Sequence, residues 1–486
     1  MMKRTLAMIL ASLMLLGSLA ACASDDAGTG EDTTAAGGSD TAVTTPAETE
    51  PEITDNLPEE SLNGYNFRMF IRPGYGADLW VEAETGDQLN DAVWARNRAV
   101  EERFDITITS TQSVDNNGTD CLPTILAGDD AWDLLAPHGR SAFTIVLQGA
   151  ALDWNLLPHV DLDREWWDQG ARENFTIDDK LYAMIGDISY LNLGYSFCMM
   201  FNKDLFDANN IQYPYQAVLD GTWTWDKWEE ILAMADVDVN GDGAMTWESD
   251  QFGYLTHEWY GLIAMQYTTG MRGITMTDEG PQITFMSEQT VESFQRYFSH
   301  ITKGANVTTA SNMFTAFREG RVFTIDGTVD GTKNLRDMEG EFGIVPWPKY
   351  KEDMDYASSI NAAASLFNVP VTISDPKTTS IILEAMSSES YKNLIPVYYE
   401  VILKAKQARD SESAQVLDVI RNSRVFDFGY FNTSIGLDSV PVNLYNTWGN
   451  ADNLSSYYKK LEGAAQKALD KLITSYEEMA ADQAAN

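Results

Sequence analysis

The sequence predicts an α/β protein of more than one domain, carried behind a targeting signal and an acidic linker. Three observations lead there. Near the start of the body an alternating apolar run, a helical stripe and a second apolar run follow one another as strand, helix and strand. The body, from about Leu62 to Asn486, is long enough for two or three domains. Aromatic residues are abundant, with 13 Trp, 21 Tyr and 20 Phe, so sizeable cores can form.

Residues 1–21 have the layout of a signal peptide. Lys3 and Arg4 make a positive start, and Leu6 to Leu16 is an apolar run interrupted only by Ser12. Such a run is too short to cross a bilayer of ~30 Å as a helix. Leu19-Ala20-Ala21-Cys22 follows and resembles the lipobox of bacterial lipoproteins. The resemblance implies lipidation of Cys22 and anchoring on the outer face of the cytoplasmic membrane. More than one lipid chain is what stable anchoring requires. Residues 22–61 then read as a disordered acidic tether. Ala23 to Glu60 has no aromatic residue, Lys or Arg, and Val43, Ile53 and Leu57 are its large aliphatics. It cannot bury enough apolar surface to offset its ordering entropy.

The whole chain carries a formal charge of −40. Removing Lys3 and Arg4 leaves 31 Lys and Arg against 73 Asp and Glu, a net −42. That excludes a nucleic-acid partner, which needs a basic footprint. Beyond Cys22 the chain has only Cys121 and Cys198. An oxidising compartment permits a disulfide between them, and two separate buried thiols fit equally well. No spacing suggests a zinc site.

Along the body, Tyr65, Phe67, Met69 and Ile71 alternate as a first strand. Leu89, Val93, Val100 and Phe104 form a helical stripe, with Arg96, Arg98, Glu101 and Glu102 on its other faces. Ile106 to Ile108 reads as a second strand, which makes a βαβ unit and a parallel sheet. A short helix at Leu122–Leu126, a strand at Asp133–Leu135, a loop at Pro137–Arg140 and a helix from Phe143 to Gln148 follow. Further strands are expected at Leu181–Ile185, Phe197–Phe201, Arg321–Ile325, Phe342–Val345 and Ala363–Phe367. Helices are expected around Trp225–Leu232, Phe294–Ile301 and Asn312–Arg318. The chain ends in a long helix marked by Leu454, Leu461, Ala465, Leu469, Leu472, Tyr476 and Met479.

Several segments, in order, resemble the extracellular solute-binding proteins of the maltose-binding type. They are Ala127-Gly128-Asp129-Asp130 with Trp132-Asp133-Leu134-Leu135, and Leu181-Tyr182 with Gly186-Asp187 and Phe201-Asn202-Lys203-Asp204-Leu205-Phe206. The series continues with Thr222-Trp223-Thr224-Trp225-Asp226 and Trp228, then Phe317-Arg318-Glu319-Gly320-Arg321-Val322, then Phe342-Gly343-Ile344-Val345-Pro346-Trp347-Pro348. The resemblance implies a periplasmic-binding-protein-like fold, with two α/β lobes joined by two or three crossing strands and a ligand cleft between them. It divides the body into 62–190 (first lobe), 191–343 (second lobe), 344–395 (return to the first) and 396–486 (a helical part of the second). It further implies a monomer that hands a small molecule, expected to be a carbohydrate, to the permease subunits of an ABC importer.

Carbohydrate recognition needs aromatic faces for the apolar faces of sugar rings and planar polar side chains for the hydroxyls. Candidates of both kinds stand where the resemblance places the cleft. They are His138 and Arg140 after the Asp133–Leu135 strand, and Asp187 and Tyr190 at the first crossing. Trp259 and Tyr260 come from an irregular stretch, Asp326 from a strand end, and Trp347 from the returning strand. Tyr445 and Trp448 are read in a loop before the last helix. After Asp326 the chain reads Gly327-Thr328-Val329 where the related proteins often carry Trp, which removes one stacking residue. A separate motif from Asp238 puts oxygen donors at Asp238, Asn240 and Asp242, with Gly243 at the turn. This resembles the start of an EF-hand calcium loop, with Glu248 or Asp250 closing it beside an out-of-register Ser249. A structural Ca²⁺ is therefore a candidate, and no other cofactor is expected.

No catalytic residue is assigned. Neither a GxSxG elbow nor HExxH is present, and paired carboxylates carry little weight in so acidic a chain. A secreted carbohydrate-active enzyme and a ligand sensor for a membrane receptor stand as alternatives to a transport role. Turnover of a sugar separates the first from transport, and a neighbouring permease gene pair separates the second.

Overall fold

Buried alternation builds the first sheet. A computed structural model, which describes residues 54–302, 305–404 and 411–485, places Phe67, Met69 and Ile71 of β1 (Tyr65–Ile71) in the core. α1 (Gln88–Phe104) follows, its first turn capped by the Asp87 carboxylate, which accepts from the amides of Leu89 and Asn90. β2 (Ile106–Gln112) pairs parallel with one side of β1 and β3 (Leu134–Ala136) with the other, giving the order β2-β1-β3. α2 (Gly139–Leu147) starts directly beyond β3, and α3 (Gln169–Phe175) sets Phe175 against Phe143 of α2 at 5.2 Å. The stretches Leu181–Ile185 and Ala363–Phe367 join this sheet through single bridges, Met184 to Phe367 and Leu135 to Asn368, instead of full strands. Beyond them, Pro370 bridges Ala151 and Gly186 bridges Trp167, again as single bridges, with Pro370 offering no amide of its own and Gly186 pressed against the Trp166 carbonyl.

The second sheet opens with β4 (Phe197–Asn202), whose six side chains are all buried. α4 (Trp225–Ala235), β5 (Phe252–His257), α5 (Tyr260–Thr268), the hairpin β6 (Ile274–Thr277) and β7 (Gly280–Ile283), and α6 (Glu288–Phe298) come next. β8 (Val307–Thr308), β9 (Val322–Thr328) and β10 (Phe342–Val345) complete the order β10-β4-β9-β5-β8. β5 runs parallel to β8 and β9, while β4 runs antiparallel to β9 and β10. Strands covered on both faces read as continuous apolar runs, which is why β4 stands out in the sequence.

Three segments cross between the sheets side by side. Ser196, before β4, bridges Ile360, next to β11 (Ser358–Ser359). α7 (Pro376–Glu389) then packs on α1, and α8 (Ser411–Asn422) lies along β10. β12 (Arg424–Val425) pairs parallel with β11 as the third crossing. Two ion pairs hold the third crossing: Asp187 of the first crossing with Arg421 at 2.7 Å, and Asp168, which caps α3, with Arg424. Beyond them, α9 (Phe428–Phe431) packs on α2 of the first lobe, with Phe428 5.1 Å from Phe143. α10 (Val440–Trp448) returns to the second lobe, where Tyr445 meets Phe298 at 5.9 Å.

The last helix, α11 (Leu454–Ala485), has 32 residues and is about 48 Å long at 1.5 Å per residue. Tyr458, in its first turns, stacks on Phe285 of the second lobe at 5.4 Å. Tyr476, further along, packs edge-on to Tyr182 of the first lobe at 5.0 Å. Gln483 donates to the Ala151 carbonyl and accepts from the Asp153 amide. The segment 396–486 therefore touches both lobes.

Some expectations meet a different outcome. Arg96 and Glu101, placed by the sequence on the polar faces of α1, are 1 % and 7 % exposed. Neighbouring loops and α7 cover that side of the helix, and Glu101 accepts from the Ile108 amide. Within the expected tether, Asp55 and Leu57 are buried, and Asp55 is paired with Arg103 at 2.6 Å. The Pro137–Arg140 loop ends at His138, because Gly139 already begins α2. Cys121 and Cys198 are separate buried thiols. The signal segment with Cys22, and the tether up to residue 53, lie outside the described residues. Among those that are described, no helix is long and apolar enough to cross a membrane.

Removing Arg421 tests the hinge. Arg421→Ala leaves the Asp187 carboxylate buried without its partner, and breaking a buried pair in this way costs about 3–5 kcal/mol. Urea unfolding should show a loss of that size, and a change within ~0.5 kcal/mol would mean the pair is not what holds the crossings.

Candidate functional site

The carboxyl ends of parallel strands in both sheets supply the candidate residues. This is where α/β sheets place ligands, because chain turns leave the sheet there and helix N-termini point outward. β1 ends at Ile71, opposite Ala136 of β3. Arg72 and Tyr75 follow the first strand, and His138 and Arg140 follow the second. A Cβ on Gly118, at φ +73°, would come within 3.0 Å of Pro137 and 3.1 Å of the Arg72 side chain. Glycine there lets the 113–119 loop close over both strand ends. In the second lobe β5 ends at His257 and is followed by Trp259 and Tyr260, while β9 carries Asp326 beside it.

The two sets meet. The Arg140 guanidinium lies 5.6 Å from the Trp259 ring centroid and 4.7 Å from that of Tyr430, and its Nη1 is 3.2 Å from Asp438 Oδ2. Arg72 lies 3.9 Å from the ring centroid of Tyr75, which is 36 % exposed. Tyr260 packs with His257 at 4.8 Å and with Phe197 at 5.6 Å. His138 caps α2, its Nδ1 accepting from the Arg140 amide at 3.2 Å. Burial, with help from Arg72 and Arg140, pushes the His138 ring down to about 4. It is therefore neutral at physiological pH and works as an acceptor.

Beneath the aromatic pair sits a buried polar cluster. Asp326 is fully buried, and its Oδ2 accepts from Thr256 Oγ1 at 2.9 Å and from the Tyr254 hydroxyl at 3.2 Å. Its Oδ1 has no partner. The hydroxyls of Tyr254 and Tyr297 are 3.0 Å apart. Gly261, in the first turn of α5, rests on this cluster, where a Cβ would fall 2.1 Å from the Tyr297 hydroxyl. Only glycine lets α5 start so close, and that start positions Trp259 and Tyr260.

The remaining candidates lie elsewhere. Asp187 is 3 % exposed and engaged by Arg421 at the hinge, and Tyr190 stacks on Tyr398 at 4.6 Å. Trp347 is buried against Trp228, Tyr254 and Tyr297 in the second core. Tyr445 is buried and Trp448 packs on Tyr457 at 5.4 Å, both in helix α10 and not in a loop. Gly449, at φ +68°, ends that helix. Arg72, Tyr75, Tyr430 and Asp438 are additions. For Arg72 and Tyr75 the signal was their position after the first strand, the same one that marks His138.

In the acidic loop, oxygens are turned back on the backbone. Asp238 accepts from the amides of Gly241 and Gly243, Asn240 from Asp242, and Asp242 from Ala244. Asp250 is buried and accepts from Val239 and Thr246, while Glu248 is exposed. Among the described residues, no three His, Cys, Asp or Glu side chains converge as a metal set would.

The architecture is that of the two-lobed, periplasmic-binding-protein-like solute-binding proteins. A cyclo/maltodextrin-binding protein complexed with maltotetraose superposes with TM-score 0.55 at 15 % identity, over 85 % of this chain and 97 % of that one. An ABC substrate-binding protein from Listeria monocytogenes, in complex with cycloalternan, gives 0.53 at 13 % identity over 84 % and 99 %. The maltose-binding periplasmic protein of the same organism, in complex with maltose, gives 0.52 at 16 % identity over 85 % and 97 %. At these identities the likeness is one of fold. No protein-family model and no curated relative matches the sequence.

The buried acids set a pH dependence of stability. Burial pushes Asp326 up to about 7 against the hydrogen bonds from Thr256 and Tyr254. Burial likewise pushes Glu384, which accepts from Trp166 and Trp167, up to about 7. A carboxyl whose folded pKa exceeds its unfolded value binds its proton more tightly when folded. Its stabilisation is complete below the unfolded value, 3.8 for Asp326, and is lost as pH rises through about 7. Asp55 and Glu229, which burial alone would raise, are drawn below their usual values by Arg103 and by Arg296 with His300. Their contribution disappears only in stronger acid. The melting temperature should therefore fall between pH ~4.5 and pH ~7.5, with a shallower fall in Asp326→Asn. A flat or rising profile between those pH values would contradict this.

Proposed function

We propose that this protein is an extracellular carbohydrate-binding protein that delivers its ligand to an ABC importer. The contact of Arg140 with Trp259 across the two lobes carries the reading. It brings a polar fork and an aromatic face together at the strand ends, with His138, Tyr75 and Tyr260 around them. Those are the two surfaces a pyranose presents partners for. The support from likeness is that solved proteins of this fold hold maltotetraose, cycloalternan and maltose. Ligand gripping both lobes favours the closed arrangement by its differential affinity, which is how hinge closure is driven. In this reading Cys22 carries the lipid anchor, the protein acts as a monomer outside the cytoplasmic membrane, and it has no catalytic activity. The closed form is then the species a permease engages.

The test is calorimetry and thermal shift with mono- and oligosaccharides, with product analysis of the same samples. A ligand at 100 times its Kd should stabilise the protein by ~2.7 kcal/mol, with the sugar recovered unchanged. Trp259→Ala should weaken binding about two- to tenfold, since loss of one stacked ring costs ~0.5–1.5 kcal/mol. Consumption of the sugar, or an unchanged affinity in Trp259→Ala, would count against the reading.

A further inference from the structure

The cleft holds a cation that the protein does not neutralise. Two arginines of the first lobe are almost wholly buried, Arg72 at 2 % exposure and Arg96 at 1 %. Arg96 is a structural clamp. Its Nε donates to Asn97, its Nη1 to the Ile188 carbonyl and Ser390, and its Nη2 to the carbonyls of Asp78 and Leu79. Every nitrogen of that guanidinium is engaged.

Arg72 differs. It makes one short bond, from Nη2 to the Ala363 carbonyl at 2.5 Å, while its contacts with Asn116 and Ser365 are at 3.5 Å. Its Nε has no partner. Among the described residues it forms no ion pair, and Asp78, whose charge it feels, is hydrogen-bonded to Ser189. A buried guanidinium with spare donors and no carboxylate paired to it directly is costly. In a chain with 73 Asp and Glu, its isolation is not for want of acids. The ring of Tyr75, itself 36 % exposed, lies over it at 3.9 Å. Beyond the neutral His138 stands Arg140, also with an unpartnered Nε, although Asp438 offsets part of its charge.

We propose that the ligand is an acidic carbohydrate whose carboxylate is taken by Arg72, with Arg140 flanking it. This rests on the carbohydrate reading and narrows it. A guanidinium fork matches a carboxylate in two parallel hydrogen bonds, which are stronger than those to a hydroxyl. Tyr75 then covers the sugar ring that carries the charge. The protein's overall negative charge acts from outside and is screened beyond ~8 Å at physiological salt, so it does not cancel a direct ion pair in the cleft.

Calorimetry on the intact protein with three probes tests this: trigalacturonate, its methyl ester and maltotriose. Trigalacturonate should bind at least tenfold more tightly than its ester. Arg72→Gln should erase that preference, and Arg140→Gln should reduce it. The comparison of acid with ester in the unaltered protein stands even if a variant fails to fold. Should the ester or maltotriose bind as tightly as the acid, the inference falls and the carbohydrate reading survives. Should none of the three bind, both fall.

Discussion

The cleft depends on the three crossings that run side by side between the sheets. Ser196 bridges Ile360, and β11 pairs with β12, so the chain passes between the lobes in a paired ribbon, with α11 packed on both lobes beside it. Two ion pairs hold the third crossing, Asp187 of the first crossing to Arg421 and Asp168 of the first lobe to Arg424. Both aspartates are buried, so each pair is shielded from solvent and salt. The residues that face each other across the cleft keep their register only because this ribbon keeps its own.

Given that frame, each lobe contributes by the same device. A parallel strand ends, the chain turns, and a helix begins with its positive end toward the cleft. His138 and Arg140 come from β3 and α2, while Trp259 and Tyr260 come from β5 and α5. Small residues make the close starts feasible, Gly139 against the carbonyls of Ala362 and Ala364, and Gly261 against the hydroxyls that hold Asp326. The polar cluster under α5 fixes the aromatic pair in place. Its cost is a carboxyl with one oxygen unpartnered in the core.

Local pattern made much of this legible. β1, α1, β4, the Leu122–Leu126 helix and α11 follow from apolar periodicity, because each buries one face or is buried on both. Boundaries that depend on glycine were harder: Gly139 starts α2 where a loop was expected, and Gly449 ends a helix that had been read as loop. The site was partly legible. His138, Arg140, Trp259 and Tyr260 sit where strand ends predict, and Arg72 and Tyr75 obey the same rule without having been chosen. Asp187 could not be read correctly from its neighbours, because its partner Arg421 is 234 residues away. Trp347 and Tyr445 failed for a related reason. An aromatic residue looks the same in sequence whether it covers a ligand or fills a core.

The reach of α11 also sets an order of events during synthesis. Gln483 bonds to Ala151 across 332 residues, and Leu135 waits for Asn368. The first sheet is begun within the earliest part of the body, yet its bridge to Asn368 and the contacts of Gln483 with the neighbouring 151–153 segment come hundreds of residues later. At ~5–20 residues per second a ribosome leaves those contacts unmade for tens of seconds. Neither lobe can finish as a unit while the other is still being made. Contacts of such long sequence separation slow the completion of the fold.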